Sequence, residues 1–285
     1  MCRLYVGTSG YAYTEWAAAG FYPAGTTADR MLALYARRFS ITELNATAYQ
    51  LPRAETVERR RRQVPPDFLF AVRLTRTLTH EIDFQRWPGL ALEYRDGLAP
   101  LIQTRQLAAV LIQLPPTFDR TPTHRRHLAA LLDALQGLPL AVEFRHRSWV
   151  KDQVLNELEQ RRTALVVVDG PALPDLFPVW EAVTNPEFFC VRFYGRNTEG
   201  WHSTKPSRQF DYCYADDELC EWIERRIEPL SRRARRGILL FSNHVRAQAP
   251  QNAQRMIRLM RARGIKSVEP VEPVSPLGRL SRLAR

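Results

Sequence analysis

A chain of 285 residues, 45% apolar and 25% charged, has a globular make-up and is long enough for one large barrel or two small domains. No run approaches the ~20 apolar residues of a membrane-spanning helix, so no membrane partner is expected. The formal charge of +11 admits a polyanion such as nucleic acid, yet it rests almost wholly on arginine, with lysine only at 151, 205 and 266.

The chain opens "MCRLYVGTSG", which lacks a signal-peptide pattern and enters a strand at once. Cys2, Cys190, Cys213 and Cys220 form no CxxC pair and no metal spacing, so reduced thiols and a cytoplasmic location are expected. The first predicted strand, Leu4–Gly7, runs into Thr8 and Ser9. The aromatic residues that follow (Tyr11, Tyr13, Trp16, Phe21 and Tyr22) suit either a cap over a barrel end or a stacking wall for a flat ligand. A helix is predicted next, over 29–39.

The second strand, Ile41–Asn45, carries Glu43 and Asn45 on one face, and a helix over 53–64 follows. The third, Phe68–Leu74, delivers Arg73 and leads into a long, partly helical connection that holds His80. The fourth, Ala108–Leu114, delivers Gln113, and its helix over 123–136 is expected to expose His124 and His127. The fifth, Leu140–His146, covers most of the stretch "AVEFRHRSW": Val142 and Phe144 face one way, Glu143 and Arg145 the other, with His146 at its end and Trp149 beyond. After the next helix comes a sixth strand, Ala164–Asp169, ending in an acid and followed by a proline-broken connection over 170–188. The seventh, Phe188–Tyr194, carries Arg192 and Tyr194; the eighth, Gly237–Asn243, carries Asn243. Helices over 216–230 and 249–264 follow these two.

Eight strands alternating with helices predict one α/β domain, a single (β/α)8 TIM-barrel-like fold over 1–268, with an irregular connection after strand 6 and a C-terminal extension over 269–285. No GxGxxG or GxxxxGK[ST] motif follows a strand, and "GTSG" is not a nucleophile elbow, so dinucleotide, P-loop and serine-hydrolase chemistry are not expected. What stands out is the strand ends. Seven of the eight deliver a polar or charged residue to the end where barrels build their sites. Charges are costly to bury unless paired or used. Glu43, Glu143 and Asp169 are the candidate catalytic acids. Arg73, Arg145 and Arg192, with Thr8, Ser9, Asn45, His80, Gln113, His146, Trp149, Tyr194 and Asn243, are the candidate ligand-binding set. No cofactor is required on these grounds. A hard divalent cation on Glu143, Asp169 and His146 or His244 is the one metal arrangement the acids suggest.

Read together, "GTSGYAYTEW" with "FYP", "TELNATAYQLP", "FLFAVRLTRTLTH", "QLPPTF", "AVEFRHRSW", "RFYGR" and "FSNH…QNA" make the chain similar to the YecE-like family (domain of unknown function 72) along nearly its whole length. The resemblance implies a TIM barrel with its site at the strand ends, and implies no reaction. Arg73 stands where the family carries lysine, which removes an imine-forming amine. Tyr194 replaces a histidine, and Ser242 with Asn243 replaces an asparagine pair. The expected function is an enzyme, or an enzyme-derived binder, that takes a small anionic or phosphorylated ligand at the barrel mouth. Nucleic-acid binding or processing and a non-catalytic partner-binding scaffold are the alternatives.

Overall fold

In the computed structural model, which describes residues 2–174 and 176–271, eight parallel strands close into a barrel in sequence order. They are β1 (Arg3–Ser9), β2 (Ile41–Leu44), β3 (Leu69–Arg73), β4 (Leu107–Gln113), β5 (Leu140–Glu143), β6 (Ala164–Asp169), β7 (Phe189–Phe193) and β8 (Arg236–Phe241). Their sequences explain the arrangement. The Leu-Ala-Ala-Val-Leu-Ile run of β4 is apolar on both faces, which suits a strand covered by helices outside and side chains inside. Closure is carried by β1 and β8, in register from Arg3 with Arg236 to Thr8 with Phe241.

Amphipathic helices cover the outside. Ala28–Tyr35 buries Met31, Leu32 and Tyr35, and Gln248–Ala262 buries Ala253, Met256 and Met260. The helix Pro122–Ala134 starts with proline at its first position, behind Thr121, whose hydroxyl accepts the His124 N–H at 3.4 Å. Its His127 is buried rather than exposed as the sequence suggests, because the connection after β3 folds over that face and brings the Leu78 carbonyl to His127 Nε2 at 3.0 Å. Among its described residues the connection over 170–188 contains no helix, in keeping with its prolines.

Below the strand ends the barrel interior is apolar, a cluster that includes Tyr5, Ala71, Ala109, Ala141, Phe188, Cys190, Ile238 and Leu240. The alanines are small for a reason visible in the register. At Ala71 it is direct: Glu43 is its register partner, and the long carboxylate side chain occupies space that a larger neighbour would fill.

The base of the barrel holds the chain after its last helix. Val268 N donates to Leu4 O at 2.7 Å, and Ser40 Oγ donates to Val268 O at 3.0 Å. Of the expected C-terminal extension, residues 272–285 lie outside the described residues. Among the described residues no helix is long and apolar enough to cross a membrane, and all four cysteines are free thiols.

Candidate functional site

The strand ends converge on Arg192. From the seventh strand it points into the barrel, almost completely buried, between two fully buried carboxylates. Its Nη2 donates to Glu43 Oε1 at 2.9 Å and Oε2 at 2.7 Å, and its Nη1 donates to Glu143 Oε2 at 2.6 Å. Nη1 also bonds the Tyr194 hydroxyl, which in turn donates to Glu143 Oε1 at 3.0 Å. Ser9 Oγ accepts from Nη2 at 3.3 Å and shares a hydrogen bond of 2.7 Å with Ser242 Oγ. Alternation produces this cluster: Ser9 and Glu43 are register partners, and so are Gln113 and Glu143.

A second arginine is held differently. Arg145 donates through Nε to Glu143 Oε1 at 2.6 Å, and its guanidinium lies 4.2 Å from the Tyr194 ring centroid and 5.7 Å from that of Trp201. Its two Nη groups have no hydrogen-bond partner among the described residues. Arg73, half-buried at the end of β3, has no ion-pair partner among them either. Two acids thus neutralise one arginine, orient a second and leave the third unpaired.

Electrostatics fix the protonation states. Burial alone would raise the Glu143 carboxyl, but Arg192 and Arg145 prevail and hold it at about 2. It is a permanent carboxylate near neutral pH, able to hold a cation and unable to donate a proton. Burial drives the Tyr194 phenol up to about 12, so it stays protonated and acts as a donor. Burial and the nearby Arg76 and Arg73 push His80 down to about 4, leaving it neutral beside the Thr79 hydroxyl at 2.8 Å.

The depressed Glu143 value has a pH consequence. Its ordinary value is 4.5 and its folded value about 2, so it stabilises the fold above the ordinary value, and that contribution is lost as pH falls through the folded one. The difference is on the order of 3 kcal/mol. Between pH 5 and pH 2, urea-midpoint stability of the native protein should fall by about that much more than that of a Glu143→Gln variant. Parallel curves would contradict it.

Four expected site residues lie elsewhere. Asp169 is in register with Phe193, while its neighbour Val168 pairs with Arg192, so Asp169 sits one residue past the inward position and faces outward. There Arg196 donates to it at 3.1 and 3.2 Å, and burial raises its carboxyl above the ordinary value. Thr8 also faces outward, donating to Gly10 O at 2.6 Å and bonding Tyr35 OH at 2.9 Å. Asn243 donates to Tyr212 O and Asn252 Oδ1, both at 2.8 Å, locking the segment before the next helix. Trp149 is buried between Phe144 and Phe118, with ring centroids 4.7 and 5.9 Å away, and donates to Phe118 O. Each of the four is engaged with surrounding protein and not directed into the mouth.

The others stay at or beside the mouth. Asn45 Nδ2 ties β2 to Ser9 O at 2.8 Å, and Gln113 Oε1 is buried without a partner among the described residues. His146 Nδ1 accepts the Ser148 N–H at 3.2 Å and caps the turn Arg147–Trp149. The metal arrangement from Glu143, Asp169 and a histidine does not form: Asp169 faces outward, and His244 lies against Tyr13 and Glu15. Among the described residues no three His, Cys, Asp or Glu side chains converge as metal ligands.

Sequence reasoning missed the surroundings. A cavity of about 800 Å³ opens beside Arg145, between the turn after β5 and the connection after β6, with Trp201 in its wall. Trp201 and Phe210 both lean on Tyr194 from the segment that follows β7. That segment has neither periodicity nor motif, and only its aromatic content hints at a role. The aromatics after β1 form the cap: Trp16 is buried and stacks with Tyr13, which stacks in turn on His244.

A family model described as "Protein of unknown function DUF72" matches residues 5–276. The chain belongs to the DUF72 family. Among DUF72 relatives, UPF0759 protein YunF of Bacillus subtilis (strain 168) is 27% identical over 89% of this chain and 93% of its own length. UPF0759 protein YecE of Escherichia coli (strain K12) is 29% identical over 65% of each chain. The crystal structure of a DUF72 family protein from Thermotoga maritima MSB8 superposes with a TM-score of 0.82 at 30% identity, covering 91% of this chain and 99% of that one. One from Enterococcus faecalis V583 gives 0.83 at 25%, covering 96% and 99%. The DUF72 barrel in this chain thus has its charged centre on Glu43, Glu143 and Arg192, with Tyr194 completing the hydrogen bonds.

Proposed function

We propose that the barrel mouth binds a small anionic or phosphorylated molecule, held chiefly by Arg145 and assisted by Arg73. The observation that carries this is the Arg145 guanidinium. Its Nε is fixed by a buried, ionised Glu143, its face rests on Tyr194, its two Nη groups have no hydrogen-bond partner among the described residues, and the residue lines a cavity of small-molecule size. A planar fork held this way matches the geometry of a phosphate or carboxylate. Preorganisation lowers the loss of side-chain freedom on binding.

Within this proposal Glu143 and Glu43 are positioning groups: one holds Arg145, and both hold Arg192. The protonated Tyr194 is the remaining donor at the mouth. A polyanion partner is less well supported: in the two arginine clusters Arg59, Arg60 and Arg233 have no ion-pair partner among the described residues, and the paired ones rest on carboxylates at the surface, with no buried group to orient them there. Arg61 and Arg62 bridge to Glu58, Arg232 to Glu228 and Arg235 to Glu187.

Calorimetric titration with inorganic phosphate, phosphorylated metabolites and carboxylates at low ionic strength tests the proposal. At least one class should saturate at one equivalent per chain. Uniform failure, alongside binding of an oligonucleotide with a steep loss in salt, would favour the polyanion alternative.

A further inference from the structure

The cavity beside Arg145 has two unlike walls. The turn after β5 contributes Arg145, Arg147 and Lys151, three cations within seven residues. The connection after β6 contributes Leu173, Leu176, Phe177 and Val179. The two segments are stitched together: Phe177 N donates to Arg145 O at 3.0 Å, and Leu176 bridges His146 in antiparallel fashion. Cationic and apolar walls therefore have a fixed relation. Val179 is exposed, and Leu173 and Leu176 are half-buried. An inorganic ion at Arg145 would leave this apolar wall wet.

We infer that the ligand is an amphiphile, with an oxyanion head at Arg145 and an apolar chain along Leu173, Leu176 and Val179. The inference rests on Arg145 being the anion-holding cation and adds the chemistry of the rest of the molecule. The proline-rich connection that breaks the strand–helix alternation is, on this account, the element that selects the chain. The head is an oxyanion in either case, carboxylate or phosphate, and the probes separate the two. Each methylene buried against such a wall is expected to tighten binding by about threefold to fourfold.

The test is a calorimetric series of acetate, butyrate, hexanoate and octanoate, with inorganic phosphate, octyl phosphate and octanol alongside. Affinity should rise along the carboxylates, with octanoate about fiftyfold tighter than acetate where three of its six added methylenes are buried and roughly a thousandfold tighter where all six are. The head with the tighter eight-carbon ligand identifies the oxyanion. Octanol should bind far more weakly than either. Leu176→Asn and Val179→Thr, which make the wall polar without adding charge, should flatten the series and alter inorganic phosphate far less than octanoate, whereas Arg145→Met should weaken every anion. A flat series with Arg145-dependent phosphate binding would overturn the inference and leave the anion proposal standing. Failure of every anion would overturn both. Octanol binding as tightly as octanoate would overturn the placement of the head.

Discussion

Replacing Arg192 by methionine should lower stability by roughly 3–5 kcal/mol at neutral pH, the range for breaking a buried ion pair by removing one partner. The methionine keeps much of the length but leaves Glu43 and Glu143 buried without the cation that both bond. Two features make this site severe. Among the described residues the Glu43 carboxylate is bonded by Arg192 alone, whose Nη2 reaches both oxygens, and both carboxylates are fully inaccessible to water. Glu143 keeps Arg145, so the larger part of the deficit falls on Glu43. Adding Glu43→Gln and Glu143→Gln should recover part of it. Urea denaturation at neutral pH is the measurement; a loss below about 1 kcal/mol would mean the cluster has relaxed or drawn in water.

The second large effect is on binding. Arg145→Met should weaken the best-bound anion by about 10- to 100-fold, from the 1.5–3 kcal/mol typical of hydrogen bonds to a charged group. Arg145→Lys should recover only part of the loss, since an ammonium keeps the charge and loses the fork. Arg147→Met should cost less than about threefold. That side chain is exposed and already donates to Pro174 O at 2.8 Å. The ranking separates a built site from general attraction to a basic protein. Equal losses at 145 and 147 would mean the latter.

Much of this was legible in the sequence, for a physical reason. Strands buried on both faces must be apolar runs, so all eight could be found, and alternation along Ile41–Leu44 and Phe189–Phe193 placed Glu43 and Arg192 on the inner face. Alternation also explains the error at Asp169. The last residue of a strand looks like a site residue, but its phase follows from the register with β7, which a single strand does not carry. The fifth strand ends at Glu143, earlier than its sequence suggests, because pairing with β6 stops at Val142 and Leu165. Arg145 still faces the mouth, held by Glu143 instead of by the sheet.

The cavity was not legible. Its walls come from irregular segments whose paths depend on tertiary contacts such as Phe177 N to Arg145 O, and such contacts leave no periodic trace. His127 shows the same limit. A histidine on the polar side of a predicted helix is buried because a distant connection happens to cover it.

On the proposed function, buried Glu143 holds Arg145 through Nε so that its two Nη groups are free for an anion. The most direct test is an anomalous-difference map from crystals soaked in tungstate, a heavy analogue of phosphate. The expected result is a peak within hydrogen-bond distance of the Arg145 Nη groups that disappears in Arg145→Met crystals. Peaks confined to exposed arginines, or a mouth peak that survives the substitution, would contradict it.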